Sequence, residues 1–413
     1  MSDISPYGAD ARLAVLSNGL RVVSRPSDGN VAYIGVLTDA GSRDDGPGRD
    51  GLAHFVEHTI FKGTSRRRGW QISNMMETVG GALNAYTSRE EIMIYTISPA
   101  GCEGRAVELL ADLVADASFP EADVERERGV VLEEINRYHD SPADAVMDEF
   151  DELFYAGHPL AHNILGYADT VAGLDSRLAR EFLTERFTPA SMVVYCVAPG
   201  DQERHLRLIE RHMGALRRDG GRPVRVAPTP NEPFDELRDR GNKQANTIMA
   251  VHACDQLDER RYALMMLGSV LGGPSMNSRL NREMREKRGL VYAVDAGLEM
   301  YSDSGSFQVY FGTEPDQVDR CTRIVRRELE RLAAEPMTDR LFNQWRRQIC
   351  GRLLVGGDRR GSQAMALAKS VLRYGEVRDS RYAADRIMAL TPADVRAAAE
   401  LLASRPFSRL TIV

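Results

Sequence analysis

The segment 51–64, GLAHFVEHTIFKGT, places two histidines and one glutamate at helical spacing. His54, Glu57 and His58 stand at positions i, i+3 and i+4, so on a helix their side chains share one face. Apolar residues occupy most of the other positions, Asp50 is a candidate cap for the first turn, and a Lys-Gly pair closes the pattern. The pattern therefore predicts a short helix that presents three polar groups together.

The three side chains have the chemistry of a catalytic zinc site. Two neutral imidazoles one turn apart can bind one Zn²⁺, and a nearby carboxylate can take a proton from water that the metal activates. A structural zinc site normally has four protein ligands, often cysteines, and none lies nearby. The alternative is a helix that carries these residues by coincidence. We interpret H-x-x-E-H as a metallopeptidase signature, with His54 and His58 as ligands of one Zn²⁺ per chain and Glu57 as general base.

A second histidine pair, in the segment 157–162, has the same spacing but a different context. His158 and His162 are also four residues apart, in GHPLAH. Pro159 disfavours a helix interior there, and no carboxylate stands between the two histidines. We interpret both as loop or structural residues.

The best source of a third ligand is the helical pattern in 118–139. Glu127 and Glu134 are seven residues apart and therefore stack on one semi-apolar face, where a carboxylate is costly without a cation or a donor. Glu133 points about 100° away and is predicted to face solvent. The alternative is an ordinary charged surface helix.

The motifs together resemble the pitrilysin or insulinase-type (inverzincin) zinc metallopeptidases. The resemblance covers 51–64, GGALNAYTSR at 80–89 and ERERGVVLEEI at 125–135, and it extends over nearly the whole chain. This family includes the mitochondrial processing peptidases and short two-domain bacterial members. The resemblance implies that Glu134 is the third zinc ligand and that Glu127 is an active-site carboxylate that holds a ligand in place.

Further site residues also follow from the resemblance. Asn84 and Ala85 would lie on an edge strand to which the substrate backbone adds as a further strand. The segment beginning LGGPSMNSRL at 271 resembles the glycine-containing loop of the family, and REMREKRGLVY at 282 its Arg/Tyr motif. The implied substrate-binding residues of this half are Gly272, Gly273, Arg285 and Tyr292. An Arg and a Tyr hydroxyl suit a peptide carbonyl or an oxyanion, although a salt-bridged Arg and a half-buried Tyr are the plainer alternative.

The chain organisation predicts two domains. Its 413 residues are too many for one comfortable core, and the segment 217–233 contains four prolines and a Gly-Gly pair that continue neither a helix nor a central strand. Strand-like and helical segments recur in a similar order on either side of it. We predict an α+β protein of two topologically similar domains, 1–216 and 234–413, each a mainly antiparallel sheet packed with helices, joined by the linker 217–233.

Composition excludes several other classes of protein. A net charge of −7 without long charged blocks gives no reason to expect nucleic acid or anionic lipid as a partner. We find no secretory signal and no apolar run long enough to cross a bilayer. Five scattered cysteines indicate thiols in a reducing compartment, so the predicted location is the cytoplasm.

The predicted function is hydrolysis of peptides or unfolded segments by a zinc endopeptidase, in a closed chamber formed by a dimer. The resemblance implies a homodimer in which the Arg/Tyr motif is supplied by the other chain, and a heterodimer with a related chain stays open. Two alternatives remain: a non-catalytic assembly subunit, and a maturase dedicated to one precursor peptide.

Overall fold

A computed structural model describes residues 10–217, 219–335 and 337–413. Residues 1–9 and Pro336 of the two predicted domains, and Arg218 of the predicted linker, lie outside the described residues. The strands are β1 Arg12–Val15, β2 Arg21–Pro26, β3 Val31–Thr38, β4 Ala82–Thr87, β5 Ile92–Pro99, β6 Met192–Ala198, β7 Asp235–Arg238, β8 Ala245–His252, β9 Val291–Met300, β10 Gly305–Thr313 and β11 Ser408–Ile412.

The helices complete the fold. They are α1 Leu52–Thr59, α2 Gly69–Glu77, α3 Glu103–Asp116, α4 Glu121–His139, α5 Pro142–Phe154, α6 Ala168–Ala172, α7 Ser176–Arg186, α8 Gln202–Met213, α9 Arg261–Leu271, α10 Val318–Ala334, α11 Asp339–Gly357, α12 Arg360–Tyr374, α13 Ser380–Met388 and α14 Pro392–Ala403. Among the residues that the structure describes, no helix is both long and apolar enough to cross a membrane.

The strands form two mixed sheets of related topology. The first has the order β1-β2-β6-β3-β5-β4, and the second has the order β7-β11-β8-β10-β9. Leaving β1 aside, strands at equivalent places in the two sheets come in the same order along the chain. In each sheet the strand that comes first in the chain pairs in parallel with the one that comes last, β2 with β6 and β7 with β11, and the other pairs are antiparallel. The predicted α+β class with two topologically similar, mainly antiparallel domains is confirmed.

Two compact units contain these sheets, and each is built from separate parts of the chain. The first unit comprises the described residues up to Asn136, His162–Val224 and Gly356–Asp379. The second comprises Arg137–Ala161, Arg225–Val355 and Ser380–Val413. A division at the linker into 1–216 and 234–413 would assign α5 to the first domain and α12 to the second, whereas the structure places each of them in the other unit.

Burial of apolar surface explains this assignment. In the first unit, α1, α3 and α8 pack on one face of the sheet, and α12 covers the opposite face, where Leu367 and Val371 join Val193 and Tyr195. In the second unit, Phe150 of α5 belongs to the same apolar cluster as residues of β8 and β11. A sheet face left uncovered would expose a large apolar area to water.

Leu367→Ala tests the contribution of α12 to the first unit. The side chain of Leu367 is only 2 % exposed, so its truncation is expected to lower the free energy of unfolding by about 2–5 kcal/mol. Leu354→Ala is the matched control, because Leu354 is 49 % exposed and should change that free energy by less than about 0.5 kcal/mol. Urea unfolding of both variants measures the difference. Equal stability of the two variants would contradict the packing of α12 on this sheet.

Candidate active site

Helix α1 carries the H-x-x-E-H motif, and its first turn is held by Asp45. The Asp45 carboxylate is buried and accepts hydrogen bonds from the backbone N–H groups of Gly51, at 2.8 Å, and Ala53, at 2.7 Å. The prediction that Asp50 caps this helix is wrong. Its carboxylate lies 2.5 Å from His162 Nδ1 instead, because the chain makes a left-handed turn at Gly51, with φ 92°, before the helix begins.

A close approach of two backbone segments fixes this entry to α1. A Cβ atom at Gly51 would lie 2.5 Å from the carbonyl oxygen of Leu165, and one at Gly166 would lie 2.2 Å from that of Asp50. Both glycines also have positive φ, which other residues rarely adopt. The backbone at the start of α1, three residues before His54, is therefore held in place by its close packing against the segment that contains Leu165 and Gly166.

Three candidate ligands converge between α1 and α4. His58 Nε2 lies 3.4 Å from Glu134 Oε2, and His54 Nε2 lies 3.8 Å from the same oxygen. The ligand atoms of the three residues are all within 4.8 Å of one another. Two ligand atoms bound to one zinc ion at about 2.0–2.2 Å and a tetrahedral angle are about 3.4 Å apart. The donor set and its spacing thus fit a tetrahedral zinc site with one open position.

The protonation of His54 also suits metal binding. Its side chain is buried, and this burial, with a smaller effect of the neighbouring His58, lowers the pKa of His54 to about 3. The imidazole is therefore neutral near pH 7, the form that ligates zinc. Among the described residues, His54 Nδ1 has no hydrogen-bond partner.

Glu57 lies beside the candidate ligands without being one of them. Its Oε2 atom is 4.0 Å from His54 Nε2, and Thr87 Oγ1, on β4, donates to the same oxygen at 3.4 Å. Burial raises the pKa of Glu57, and the carboxylate of Glu134 raises it further, whereas His58 and the Thr87 hydroxyl act in the opposite direction. A carboxylate with a raised pKa is a better proton acceptor than an exposed one.

Glu127 contacts a candidate ligand on its far side. Its Oε2 atom lies 3.4 Å from His58 Nδ1, so it can accept a hydrogen bond from the ring nitrogen that does not face Glu134. Its other oxygen lies 2.5 Å from Lys62 Nζ. A carboxylate in this position orients the imidazole and fixes its tautomer. Glu133 is exposed, as the helical spacing predicted.

The predicted edge strand is β4, which within the described part of the chain pairs with β5 on one side only. Asn84 is exposed and Ala85 is half-buried. Since side chains alternate along a strand, Ala85 shares a face with Thr87, whose hydroxyl reaches Glu57. The structure thus brings the predicted peptide-binding strand and the predicted general base together.

The predicted substrate-binding residues of the second half all lie in the second unit. Arg285 is exposed on a π-helical segment, Asn281–Glu286. Tyr292 is 51 % exposed on β9, and its hydroxyl donates to Glu314. A Cβ atom at Gly272 would lie 2.7 Å from that of Ala296, so this glycine allows α9 to approach β9 closely. The roles of these residues in substrate binding stay predictions.

The side chains of His158 and His162 have other partners. His158 Nε2 lies 2.9 Å from the carbonyl oxygen of Val226, and His162 faces Asp50. Neither belongs to a group of three possible metal ligands within the part of the chain that the structure describes. The sequence did not predict three contacts of the site: Asp45 with the first turn of α1, Lys62 with Glu127, and Thr87 with Glu57. Each of these contacts joins residues of different segments of the chain, so spacing along one helix does not signal it.

Comparisons with known proteins bear on both halves of the chain. Residues 21–167 match the family model described as insulinase (peptidase family M16), and residues 176–349 match the one described as peptidase M16 inactive domain. An uncharacterized zinc protease of Streptomyces coelicolor is 34 % identical over 96 % of this chain and 88 % of its own. The uncharacterized zinc protease YmxG of Bacillus subtilis is 31 % identical over 87 % of each chain.

Two solved structures share the fold. A protease from Helicobacter pylori superposes with a TM-score of 0.87 at 20 % identity, covering 97 % of this chain and 99 % of its own. A peptidase M16 inactive domain from Pseudomonas fluorescens gives a TM-score of 0.88 at 18 % identity, covering 97 % of both chains.

Two similar α+β units and a His-His-Glu donor set define a protein of a metalloprotease family. The chain belongs to peptidase family M16, the insulinase family. The resemblance stated from the sequence motifs is therefore confirmed, and curated relatives of the chain are named zinc proteases.

Proposed function

We propose that this protein is a zinc endopeptidase that hydrolyses peptides or unfolded segments, with one Zn²⁺ per chain. The observation that carries the proposal is the convergence of His54, His58 and Glu134 beside the buried carboxylate of Glu57. Zinc bound by these three residues would supply a Lewis acid that polarises a peptide carbonyl and lowers the pKa of water.

The chain's own residues account for the remaining requirements of peptide hydrolysis. Glu57, whose carboxylate lies 4.0 Å from His54 Nε2, accepts a proton from the attacking water and can pass it to the leaving nitrogen. Glu127 holds the His58 ring through Nδ1. An extended peptide that pairs with the open edge of β4 would pass beside Glu57, because Thr87 of that strand contacts its carboxylate.

We further propose that two chains form the working enzyme. Arg285 and Tyr292 would then bind the peptide carbonyl or the oxyanion from a second copy of the chain, and their exposure leaves both side chains accessible. All candidate zinc ligands lie within 21–167, while the half that contains Arg285 and Tyr292 matches the model described as an inactive domain. This supports a division between a catalytic and a substrate-binding domain. A heterodimer and a dedicated maturase stay as alternatives, and the cytoplasm stays the predicted location.

The proposal is tested by incubating the purified protein with a pool of quenched-fluorescent peptides. We expect cleavage that a chelator abolishes and that stoichiometric Zn²⁺ restores, with cuts inside the peptides and not only at their ends. Mass spectrometry of the products separates endopeptidase from exopeptidase activity. Absence of cleavage by the zinc-loaded protein would contradict a general endopeptidase and would favour the maturase or the assembly subunit.

A further inference from the structure

The turn that joins β4 to β5 contains a buried carboxylate with three partners. Glu91 is 4 % exposed. Its Oε1 atom accepts a hydrogen bond from Tyr86 Oη at 2.9 Å and forms an ion pair with Lys369, while its Oε2 atom lies 3.3 Å from Arg373 Nη2. A buried carboxylate is costly unless such partners compensate it. Since Lys369 and Arg373 belong to α12, this cluster attaches α12 to the turn.

The cluster also reaches the candidate peptide-binding strand. Tyr86 stands on β4 between Ala85 and Thr87, the latter in contact with Glu57. Lys369 Nζ lies 5.1 Å from the centre of the Tyr86 ring, within the range of a cation–π contact. Lys369 therefore contacts Tyr86 directly, and Arg373 is linked to it through Glu91, which accepts the hydrogen bond from the Tyr86 hydroxyl.

The opposite side of the same turn is fixed by other contacts. Arg43 Nη1 lies 2.6 Å from Glu90 Oε1, and the backbone N–H of Ser42 donates to Ser88 O at 3.1 Å. A Cβ atom at Gly41 would lie 2.2 Å from Ser88 O. The turn is thus held between the segment 41–43 and α12. Loss of its contacts with Lys369 or Arg373 would let the turn move relative to the segment 41–43.

An edge strand needs such support more than an inner strand does. Among the residues that the structure describes, β4 has one hydrogen-bonded neighbour, β5, so main-chain pairing within this part of the chain constrains it from one side only. An added peptide can pair in register with β4, beside Glu57, only if that strand keeps its place. Displacements of about 1 Å in a positioning element are enough to cost a large part of enzyme efficiency.

We propose that Lys369 and Arg373, acting through Glu91 and Tyr86, are positioning residues that fix the substrate-binding edge strand β4. The inference rests on the proposed peptidase function, because it concerns the strand to which the substrate would add. Its consequence is that a helix far along the chain, α12, controls affinity for extended peptides without touching zinc or the reacting atoms.

The test compares Glu91→Gln, Lys369→Met and Lys369→Arg with the parent protein. We measure binding of an unfolded chain, dye-labelled carboxymethylated α-lactalbumin, by fluorescence anisotropy. All variants carry Glu57→Gln in this measurement, so that the bound chain is not hydrolysed. We expect Glu91→Gln and Lys369→Met to weaken binding about tenfold, and Lys369→Arg to restore most of it. In the background with native Glu57, KM should rise by a similar factor while kcat and zinc content stay within about twofold.

Asp112→Asn is the matched control. Asp112 is also buried in the first unit, with an arginine and a hydroxyl as partners, Arg67 and Thr64, but it contacts neither β4 nor α12 through these groups. We expect it to lower the thermal midpoint without changing peptide affinity. Unchanged affinity in the folded Glu91 and Lys369 variants would overturn the inference and leave the cluster a purely structural role.

The two proposals fail in different ways. If the Glu57→Gln protein binds no unfolded chain at all, the inference about β4 is wrong. If it binds in a Glu91-dependent manner but the parent protein cleaves nothing, the positioning role stands and only the peptidase proposal fails.

Discussion

Glu57→Gln is expected to reduce peptide hydrolysis by about 10²–10⁴-fold, the usual contribution of a general base. The amide has nearly the same shape as the carboxylate but cannot accept the proton of the attacking water. It can still accept the hydrogen bond from Thr87 Oγ1 that the carboxylate receives at 3.4 Å. The substitution therefore removes the base and leaves the surrounding contacts in place.

The measurement is kcat/KM for a peptide that the parent protein cleaves, together with zinc content by metal analysis. Zinc content should stay at one ion per chain, since Glu57 is not among the three candidate ligands. Glu77→Gln, at an exposed position of α2, is the control and should retain full activity. Full activity of the Glu57 variant would exclude Glu57 as the base, and a parallel loss of zinc would instead assign it to the metal.

Helical periodicity and the family resemblance were sufficient to predict that His54, His58 and Glu134, the candidate metal ligands, lie close together. His54 and His58 are neighbours on one short helix, so their proximity follows from local geometry alone. The stacking of Glu127 and Glu134 follows from the same rule on α4. Only the meeting of the two helices required the resemblance, because spacing along one helix does not say which other helix it faces.

The contacts that sequence reasoning missed all depend on tertiary structure. Asp45 caps α1 from eight residues before Ala53, because a left-handed turn at Gly51 moves Asp50 out of the capping position. Thr87 reaches Glu57 from a different strand.

The assignment of α5 to the second unit and of α12 to the first also depends on tertiary structure. The apolar faces of α5 and α12 indicate that each helix packs on a sheet, but they do not say which of two similar sheets it covers. The predicted linker contains Val224, the residue at which one segment of the first unit ends. Its composition did not indicate that Arg137–Ala161 belongs to the second unit or that Gly356–Asp379 belongs to the first.

Glu134→Gln tests the metal site itself, and the sign of its effect on stability separates a ligand from a structural residue. Three carboxylates, Glu57, Glu127 and Glu134, lie around two histidines of which at least His54 is neutral near pH 7. Among the described residues, acidic side chains predominate in this cluster, and Lys62 pairs with Glu127. Removing one carboxylate should therefore leave the metal-free protein equally stable or slightly more stable.

The zinc-bound state should respond in the opposite direction. A ligand that binds only the folded chain stabilises it by about 2.7 kcal/mol at a concentration of 100 Kd. Glu134→Gln should lower zinc affinity by more than the roughly 10–100-fold typical for partners outside the ligand set, so at the same zinc concentration most of that increment disappears. Thermal unfolding with and without added zinc measures it, and Glu133→Gln, one residue away but exposed, should keep the full increment. A zinc-dependent rise in the melting temperature of the Glu134 variant equal to that of the control would show that Glu134 is not a ligand, whereas a loss of stability already present without zinc would assign it a structural role between α1 and α4.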